Sequence, residues 1–266
     1  MADWRRILNR RDDGFPRIMG ILNITPDSFF ADSRVNSVED AISRAEQMVN
    51  DGADWLDIGG ESTRPGAEPV NSEEELERVI PVIKAVRKKF PEVGISVDTR
   101  RSLVAHSAID AGVDMVNDVS ALSDPKMVDE ILQSDLPICI MHMQGLPENM
   151  QNNPDYGDTV AEVRQFLENT TNILLDAGVP ANKIIVDPGI GFGKKLQHNT
   201  TLLAAGRDIV PHAEMPLMWG VSRKRMFAHL LSREDASERL AGTLGIAAMA
   251  PTKGVDIIRV HDVREH

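Results

Sequence analysis

Eight short apolar runs, separated by longer stretches with helical spacing, constrain the fold of this chain more than any other feature. The runs cover residues 17–22, 54–59, 94–99, 113–118, 136–142, 183–189, 216–222 and 255–260. Each is rich in Ile, Val, Met or Leu, which is typical of strands buried on both faces of a parallel sheet. Eight β-then-α repeats in 266 residues predict an α/β fold, the TIM (β/α)8 barrel. A doubly wound open sheet is the competing interpretation, although it normally has fewer strands at this length.

The barrel is predicted to occupy residues 17–262 of a single domain, with residues 1–16 as an N-terminal extension. Only HDVREH follows the eighth run, so the final outer helix is expected to be absent from this chain. The apolar spacing of Trp4, Ile7 and Leu8 suggests a short N-terminal helix that covers part of the exposed barrel.

Charge and cysteine content narrow the class of protein. The formal net charge is −12, from 41 acidic against 29 basic residues, so the surface does not attract nucleic acid or anionic membranes over long range. An anionic ligand would therefore need a local basic pocket. The one cysteine, Cys139, excludes a disulfide scaffold, and no run approaches the ~20 apolar residues of a membrane span. A cytoplasmic protein is expected.

Polar side chains follow all eight runs, at the end where TIM barrels carry their active sites. Asp98, Asn117 and Asp187 lie within or directly against their apolar runs, where a carboxylate is costly unless it has partners. Carboxylates accept hydrogen bonds from ring N–H and amino groups, whereas an amide both donates and accepts. With a lysine, these groups suit the edge of a polar heterocycle.

Basic side chains form a second set. Arg64, Arg259 and His261 are far apart in sequence, but strands two, one and eight adjoin in a closed barrel, so they are expected to meet above it. Arginine binds phosphate oxygens in a bidentate manner, and histidine donates a hydrogen bond and carries charge near neutral pH. With Asn23 and Thr63 as neutral ligands, this set predicts a diphosphate site.

The segment DPGIGFGKK resembles a phosphate-binding loop but does not match one. It fits neither G-x-x-x-x-G-K-[ST] nor G-x-G-x-x-G, and is interpreted as a flexible glycine-rich loop that places Phe192 and Lys194 at the barrel mouth. The seven histidines show no paired metal-ligand spacing, so a structural zinc site is not expected. A magnesium ion held by substrate phosphate and one or two protein oxygens remains open.

A series of motifs in a fixed order is more specific than any one of them. The series is NITPDSFFADSR, DIGGESTRPGA, SVDTRR, VNDVSA, MHMQG, DPGIGFGK, GVSRKR and RVHDV. Together these motifs resemble those of the dihydropteroate synthases, a pterin-binding family, from about residue 17 to residue 262.

The resemblance implies a TIM barrel that condenses 6-hydroxymethyl-7,8-dihydropterin diphosphate with p-aminobenzoate and requires Mg²⁺. The residues that it implies for the pterin are Asp98, Asn117, Asp187 and Lys224; for diphosphate, Asn23, Thr63, Arg64, Arg259 and His261; for p-aminobenzoate, Thr63, Pro65, Phe192, Lys224 and Arg225. Asn23 would also meet the metal, and the catalytic residues would be Asp98, Lys224, Arg259 and His261. Members pair through their C-terminal helices, so a homodimer is implied and the expected loss of the last helix leaves it open.

Two other functions stay open at this point. A methyltetrahydrofolate methyltransferase would keep an Asp/Asn pterin site but would not need Arg64, Arg259 and His261, which this chain has. The other candidate is a non-catalytic pterin-binding or interaction protein. The presence of the full set of predicted site residues argues against it. Release of diphosphate that depends on p-aminobenzoate would discriminate among the three.

Overall fold

The fold is taken from a computed structural model, which describes residues 3–24, 34–62, 70–145 and 149–266; the side chains of residues 34–37 are not described. Eight parallel strands pair in the order β6-β5-β4-β3-β2-β1-β8-β7. The strands are β1 Arg17–Asn23, β2 Trp55–Gly59, β3 Gly94–Asp98, β4 Met115–Asp118, β5 Ile138–Met141, β6 Ile184–Asp187, β7 Met218–Gly220 and β8 Ile257–Val260.

The two ends of this strand order also meet. Val186 of β6 forms a parallel bridge with Leu217, the residue before β7, so the sheet closes on itself. Strand interiors are almost fully buried because helices cover the outer face and side chains fill the inside. The predicted TIM barrel is confirmed, and the competing open sheet is wrong.

Eight α-helices surround the strands in the described part of the chain. They are α1 Arg34–Asn50, α2 Ser72–Lys89, α3 Ser102–Ala111, α4 Met127–Ser134, α5 Thr159–Asp176, α6 Leu196–Ala205, α7 Met226–Leu231 and α8 Leu240–Ala247. Both α7 and α8 lie between β7 and β8. The described residues after Val260 form a bend and a turn but no helix, as the sequence predicts. None of the described helices combines the length and hydropathy that a membrane span requires.

The N-terminal segment packs against the end of the barrel where the strands begin. Trp4–Arg6 form a 3₁₀ turn, and Trp4 and Leu8 are only 9% and 2% exposed. The indole of Trp55, the first residue of β2, donates to the carbonyl of Ile7 at 2.8 Å. The prediction that this segment covers part of the barrel is confirmed.

Three aspartates at the strand starts have purely structural partners. Each immediately precedes a strand and forms an ion pair with an arginine. Each also accepts a backbone N–H at 2.8–2.9 Å from the neighbouring strand or, for Asp256, from Leu217 just before it. The pairs are Asp54 with Arg17, Asp114 with Arg87, and Asp256 with Arg207. Acids at this end therefore hold neighbouring strands together, whereas those at the other end have a different set of partners.

Candidate active site

Six polar side chains from five strands and one loop interact inside the end of the barrel where the strands finish. We call them the central cluster: Asp57 on β2, Asp98 on β3, Asn117 on β4, Asp187 on β6, Lys224 after β7 and Arg259 on β8. Parallel strands bring their C-terminal ends to one rim, which is why residues so distant in sequence meet. The predicted grouping of Asp98 with Asp187 is found here.

Arg259 lies at the centre of this cluster. Its Nε donates to Asp57 Oδ2 at 2.6 Å, and its Nη2 donates to Asp98 Oδ2 at 2.8 Å. Asn117 Nδ2 donates to the same Asp57 oxygen at 3.1 Å. The guanidinium therefore binds two carboxylates between the strands, and the role in diphosphate binding that the sequence suggests remains a prediction.

Arg259 lies between two buried acids, and the pKa of one of them, Asp98, is shifted. Burial raises the pKa of Asp98 to about 7, because desolvation and the nearby Asp57 charge outweigh the attraction of Arg259. Burial alone would lower the pKa of Arg259, but the charges of Asp57 and Asp98 raise it, so the guanidinium stays protonated. The cluster thus holds a permanent cation beside an acid that titrates near neutral pH.

Lys224 and Asp187 form the other side of the cluster. Burial raises the pKa of Asp187, whose Oδ1 accepts the Gly189 N–H at 2.7 Å. Desolvation lowers the pKa of Lys224 to about 7, and the charge of Arg259 adds to the effect, while Asp187 opposes it. The ammonium also lies 3.8 Å from the centroid of the Phe192 ring. Lys224 therefore connects the acids to the aromatic side chain predicted for the p-aminobenzoate site.

Two glycines leave space around the carboxylates. A Cβ on Gly59 would lie 3.2 Å from the Asp98 Cβ, and one on Gly220 would lie 3.4 Å from Asp187 Oδ2. A side chain on Gly59 would therefore crowd Asp98, whereas the Cβ of an alanine at position 220 would only contact Asp187. This explains one glycine of the DIGG segment, which ends β2 beside Asp98.

The end of β8 is connected to the loop after β7. The backbone N–H of His261 donates to Ser222 Oγ at 3.1 Å, and its ring Nδ1 lies 2.9 Å from the same oxygen. Arg223 forms a two-point ion pair with Asp262, with Nε 2.9 Å from Oδ2. The loop that carries Lys224 is therefore fixed to the strand end that carries His261.

The remaining predicted residues divide into described and undescribed positions. Asn23 is half-buried at the end of β1, paired in register with Gly59, and Arg225 is exposed. Phe192 is half-buried beside Lys224. Thr63, Arg64 and Pro65 lie outside the described residues, so their predicted roles stay predictions.

Glu61 has a structural role that the sequence left unassigned. It accepts a two-point ion pair from Arg100 at 3.0 and 3.1 Å and further hydrogen bonds from Arg101, which also pairs with the buried Glu75. Its Oε1 accepts the Val70 N–H at 3.0 Å. The acid of the ESTR segment thus binds two arginines at the end of β3 and does not reach the central cluster.

Two features of the site were missed or misplaced by the sequence analysis. Asp57 was not singled out, although it lies inside an apolar run two residues before Gly59, so the alternation of a strand puts both on one face. Lys194 was expected at the barrel mouth, and this is wrong, because the structure buries it to 4% exposure. Its ammonium instead contacts backbone carbonyls and His142.

The close approach of the loops after β5 and β6 leads to a prediction. Gly189 has φ +65°, and a Cβ there would lie 1.8 Å from the His142 carbonyl oxygen. Gly189→Ala is therefore expected to reduce the free energy of unfolding by ~3 kcal/mol or more, from the left-handed backbone and the backbone clash together. Urea unfolding followed by circular dichroism measures it.

Gly178→Ala is the matched control, because Gly178 also has a positive φ, +103°, but nothing within 4 Å of a Cβ. It should cost only the backbone part, ~1–2 kcal/mol. Equal losses in the two variants would contradict the steric argument.

Metal ligands are sparse in this site. Within the described ranges, no group of three or more His, Cys, Asp or Glu side chains is arranged to hold a metal ion. Asn23 offers one neutral amide oxygen at the rim. One such oxygen is enough for a magnesium ion that is held mainly by substrate phosphate and water.

Comparison with known proteins agrees with this geometry. A family model described as pterin binding enzyme matches residues 19–261. The dihydropteroate synthase of Escherichia coli strain K12 is 46% identical over 254 residues, covering 96% of this chain and 89% of the relative.

Two solved structures resemble the chain along most of its length. The Yersinia pestis dihydropteroate synthase with a sulfonamide drug complex has a TM-score of 0.88 and 42% identity, covering 96% of this chain and 92% of that one. The Xanthomonas albilineans dihydropteroate synthase with 4-aminobenzoic acid has a TM-score of 0.87 and 41% identity, covering 94% and 89%. On these matches, the chain belongs to the family of pterin-binding enzymes, among the dihydropteroate synthases.

Proposed function

We propose that this protein condenses 6-hydroxymethyl-7,8-dihydropterin diphosphate with p-aminobenzoate, giving 7,8-dihydropteroate and diphosphate. The observation that carries the proposal is the central cluster, which puts three carboxylates, an amide and two cations at one barrel end. The family relationship supports the reaction, and the bound 4-aminobenzoic acid of the Xanthomonas relative supports the second substrate.

The pterin is assigned to the acid side of the cluster. Among the described residues, Asp57 Oδ1 and Asn117 Oδ1 are buried and have no hydrogen-bond partner. Buried acceptors without partners are costly, so they favour a ligand whose edge presents N–H and amino donors. Asp98 and Asp187 add carboxylates around the same space, and Lys224 adds a donor.

The diphosphate is assigned to the rim. His261 lies at the end of β8 two residues beyond Arg259, and Asn23 ends the neighbouring strand β1. A guanidinium and an imidazole suit phosphate oxygens. Thr63 and Arg64 lie outside the described residues and are assigned to the same group by the order of the strands and by the family resemblance.

Magnesium is part of the proposal. Asn23 at the end of β1 would hold the ion together with substrate phosphate oxygens. Bound there, Mg²⁺ would supply electrostatic stabilisation of the diphosphate leaving group.

The chemistry breaks one C–O bond and forms one C–N bond. Breaking the bond between the pterin methylene and diphosphate leaves positive character on carbon and negative charge on the leaving group. Arg259 and His261 stabilise the departing anion, while Asp98 and Asp187 favour the developing cation. The amine nitrogen of p-aminobenzoate then bonds to the methylene carbon and loses a proton to solvent. Positioning of this weak nucleophile by Thr63, Pro65, Phe192, Lys224 and Arg225 matters more than a strong base.

One assay tests the proposed function. The protein is incubated with the pterin diphosphate and Mg²⁺, with and without p-aminobenzoate, and released diphosphate and dihydropteroate are measured. We expect diphosphate release that depends on the arylamine, with one dihydropteroate for each diphosphate. Pterin binding without turnover would favour the non-catalytic alternative, and methyl transfer from methyltetrahydrofolate would favour the methyltransferase. A homodimer is part of the proposal because the family resemblance implies it, and a cytoplasmic location is part of it because the one cysteine suits a reducing compartment.

A further inference from the structure

The loop that joins β6 to α6, residues 188–195, is wound around a buried ammonium group. Lys194 Nζ donates to the carbonyls of Gly189 at 3.0 Å and Phe192 at 2.9 Å. It also lies 2.8 Å from His142 Nδ1, on the loop after β5. Lys194 is 4% exposed, so this side chain does not reach solvent or the barrel mouth.

The backbone of this loop can adopt the winding only because of its glycines. Gly189, Gly191 and Gly193 have φ values of +65°, +84° and +58°. A Cβ on Gly193 would lie 2.4 Å from the Gln144 carbonyl oxygen, so the loops after β5 and β6 are packed backbone to backbone. The alternating left-handed residues turn the carbonyls of Gly189 and Phe192 inward, toward Lys194.

The neighbours of Lys194 are arranged to accept its hydrogen bonds. Burial, with the nearby Lys194 charge, lowers the pKa of His142 to about 3, so the imidazole is neutral. Its Nδ1 then accepts from the ammonium, and the ring packs edge-on against Phe166 at a centroid distance of 4.8 Å. Lys194 Nζ also lies 3.4 Å from the His142 carbonyl, so four acceptors on two loops surround it. Burial lowers the pKa of Lys194, and these acceptors are what compensate for the lost solvation.

Polar side chains on the outside of the loop hold its other carbonyls. Tyr156 Oη donates to the Gly193 carbonyl at 2.9 Å, and Gln151 Nε2 donates to the Gly191 carbonyl at 2.7 Å. Asn199 Oδ1 accepts the Gly191 N–H at 2.7 Å. The loop is therefore a defined structure and not the flexible segment that its glycine content suggests.

This winding determines where the Phe192 ring lies. The Phe192 carbonyl is held by Lys194 on one side, and the ring faces the Lys224 ammonium at 3.8 Å on the other. A Cβ on Gly191 would lie 3.1 Å from the Lys224 Cδ, so the loop backbone also contacts the Lys224 stem. Lys194 therefore acts on the proposed arylamine site through the Phe192 backbone, which carries the ring.

We propose that Lys194 is a positioning residue for the second substrate: its buried ammonium, bound by the Gly189 and Phe192 carbonyls and by His142, holds the Phe192 ring against Lys224 and so shapes the p-aminobenzoate site. The inference rests on the proposed function. Of the residues assigned to the pterin, Asp187 accepts the Gly189 N–H of this loop, whereas Asp98 and Asn117 lie on β3 and β4. Pterin binding should therefore depend on Lys194 less than p-aminobenzoate binding does.

The first test replaces Lys194 with methionine, which keeps the length of the side chain and removes its three donors. We expect the KM for p-aminobenzoate to rise roughly tenfold or more, because a displaced Phe192 ring no longer aligns the arylamine. Calorimetric affinity for the pterin diphosphate, measured without the arylamine, should fall by a clearly smaller factor than the KM for p-aminobenzoate rises. Lys195→Met is the matched control, since it removes the same charge from the exposed neighbour and should leave both constants unchanged.

An unchanged KM for p-aminobenzoate in Lys194→Met would overturn the inference, and so would an equal loss of pterin affinity. If the wild-type protein shows no arylamine-dependent diphosphate release, the proposed function itself fails. If the wild type turns over normally and only the expected KM effect is missing, the positioning role alone fails.

A pair of His142 variants keeps the inference testable if Lys194→Met does not fold. His142→Leu removes one acceptor of the ammonium and should raise the KM for p-aminobenzoate, whereas the Oδ1 of His142→Asn can replace Nδ1. We expect the asparagine variant to lie within about threefold of wild type, and the leucine variant to exceed it. Equal KM values in the two variants would contradict the role of the hydrogen bond.

A double-mutant cycle tests the route through Phe192. Because Lys194 is argued to act through the Phe192 ring, Lys194→Met should change the KM for p-aminobenzoate by no more than about twofold when Phe192 is already alanine. Full additivity of the two substitutions would show that Lys194 acts elsewhere.

Discussion

Replacing Arg259 with alanine is expected to slow product formation in a single turnover by at least ~100-fold, which corresponds to ~3 kcal/mol of lost transition-state stabilisation. The Arg259 guanidinium has two roles: it pairs with the acids of the cluster, and it is proposed to stabilise the leaving diphosphate. It binds Asp57 and Asp98 at 2.6 and 2.8 Å, and it is the only arginine of the central cluster. Without Arg259, Asp57 and Asp98 lose their shared partner, and Lys224 is the one cation left in the cluster. The leaving diphosphate also loses the positive charge that β8 supplies.

Part of the Arg259→Ala effect will appear as lost stability, since the change leaves buried charges without their partner. Arg207→Ala separates the two effects. Arg207 pairs with Asp256 at 2.6 Å, at the opposite end of the same strand β8, and touches no residue of the central cluster. We expect Arg207→Ala to lower the unfolding free energy while leaving the rate per folded molecule within about twofold of wild type.

Rapid-quench measurement with enzyme in excess gives the single-turnover rate, and circular dichroism gives the folded fraction. A folded Arg259→Ala protein with a near-normal rate would remove Arg259 from the chemistry. In that case the Asp57–Arg259–Asp98 contacts would be structural, like the aspartate–arginine pairs at the other barrel end.

The sequence predicts those site residues whose type is unusual for their position in a strand. Asp98, Asn117 and Asp187 were identified because a polar residue inside an apolar strand demands partners, and the structure gathers all three. Asp57 is likewise a polar residue inside an apolar strand, but it lies before the strand end. Because side chains alternate between the two faces of a strand, its position two residues before Gly59 would have identified it.

The direction in which a long side chain points could not be predicted from the sequence. The position of Arg259 on β8 was predictable, but its pairing with two acids depends on rotamers that only the assembled barrel fixes. Lys194 was misplaced for a related reason: alternating glycines predict mobility, whereas here they let the backbone wind around the ammonium. Backbone carbonyls as ligands are invisible in a sequence because every residue has one.

Asp98→Asn is expected to slow single-turnover product formation at least ~100-fold, ~3 kcal/mol, because the amide cannot supply the negative charge that favours the developing pterin cation. Asn keeps the size of the side chain and one acceptor oxygen, so the loss isolates the charge. Asp114→Asn is the matched control: Asp114 is also a buried aspartate, it pairs with Arg87 at the start of β4, and its loss should lower stability but not the rate.

The pH dependence of the same variant gives a sharper test. Burial raises the pKa of Asp98 to about 7, so its carboxylate forms as pH rises through neutrality, while desolvation lowers the pKa of Lys224 to about 7, so its ammonium is lost over the same range. Because kcat/KM for the pterin diphosphate reports the free enzyme, we expect a narrow bell centred near neutral pH, with apparent pKa values that belong to the coupled pair. Asp98→Asn should abolish the acidic limb and keep the alkaline one, whereas Lys224→Met should do the reverse. If the acidic limb persists unchanged in Asp98→Asn, that limb belongs to another group. Ionised Asp98 would then have no role in binding the pterin diphosphate.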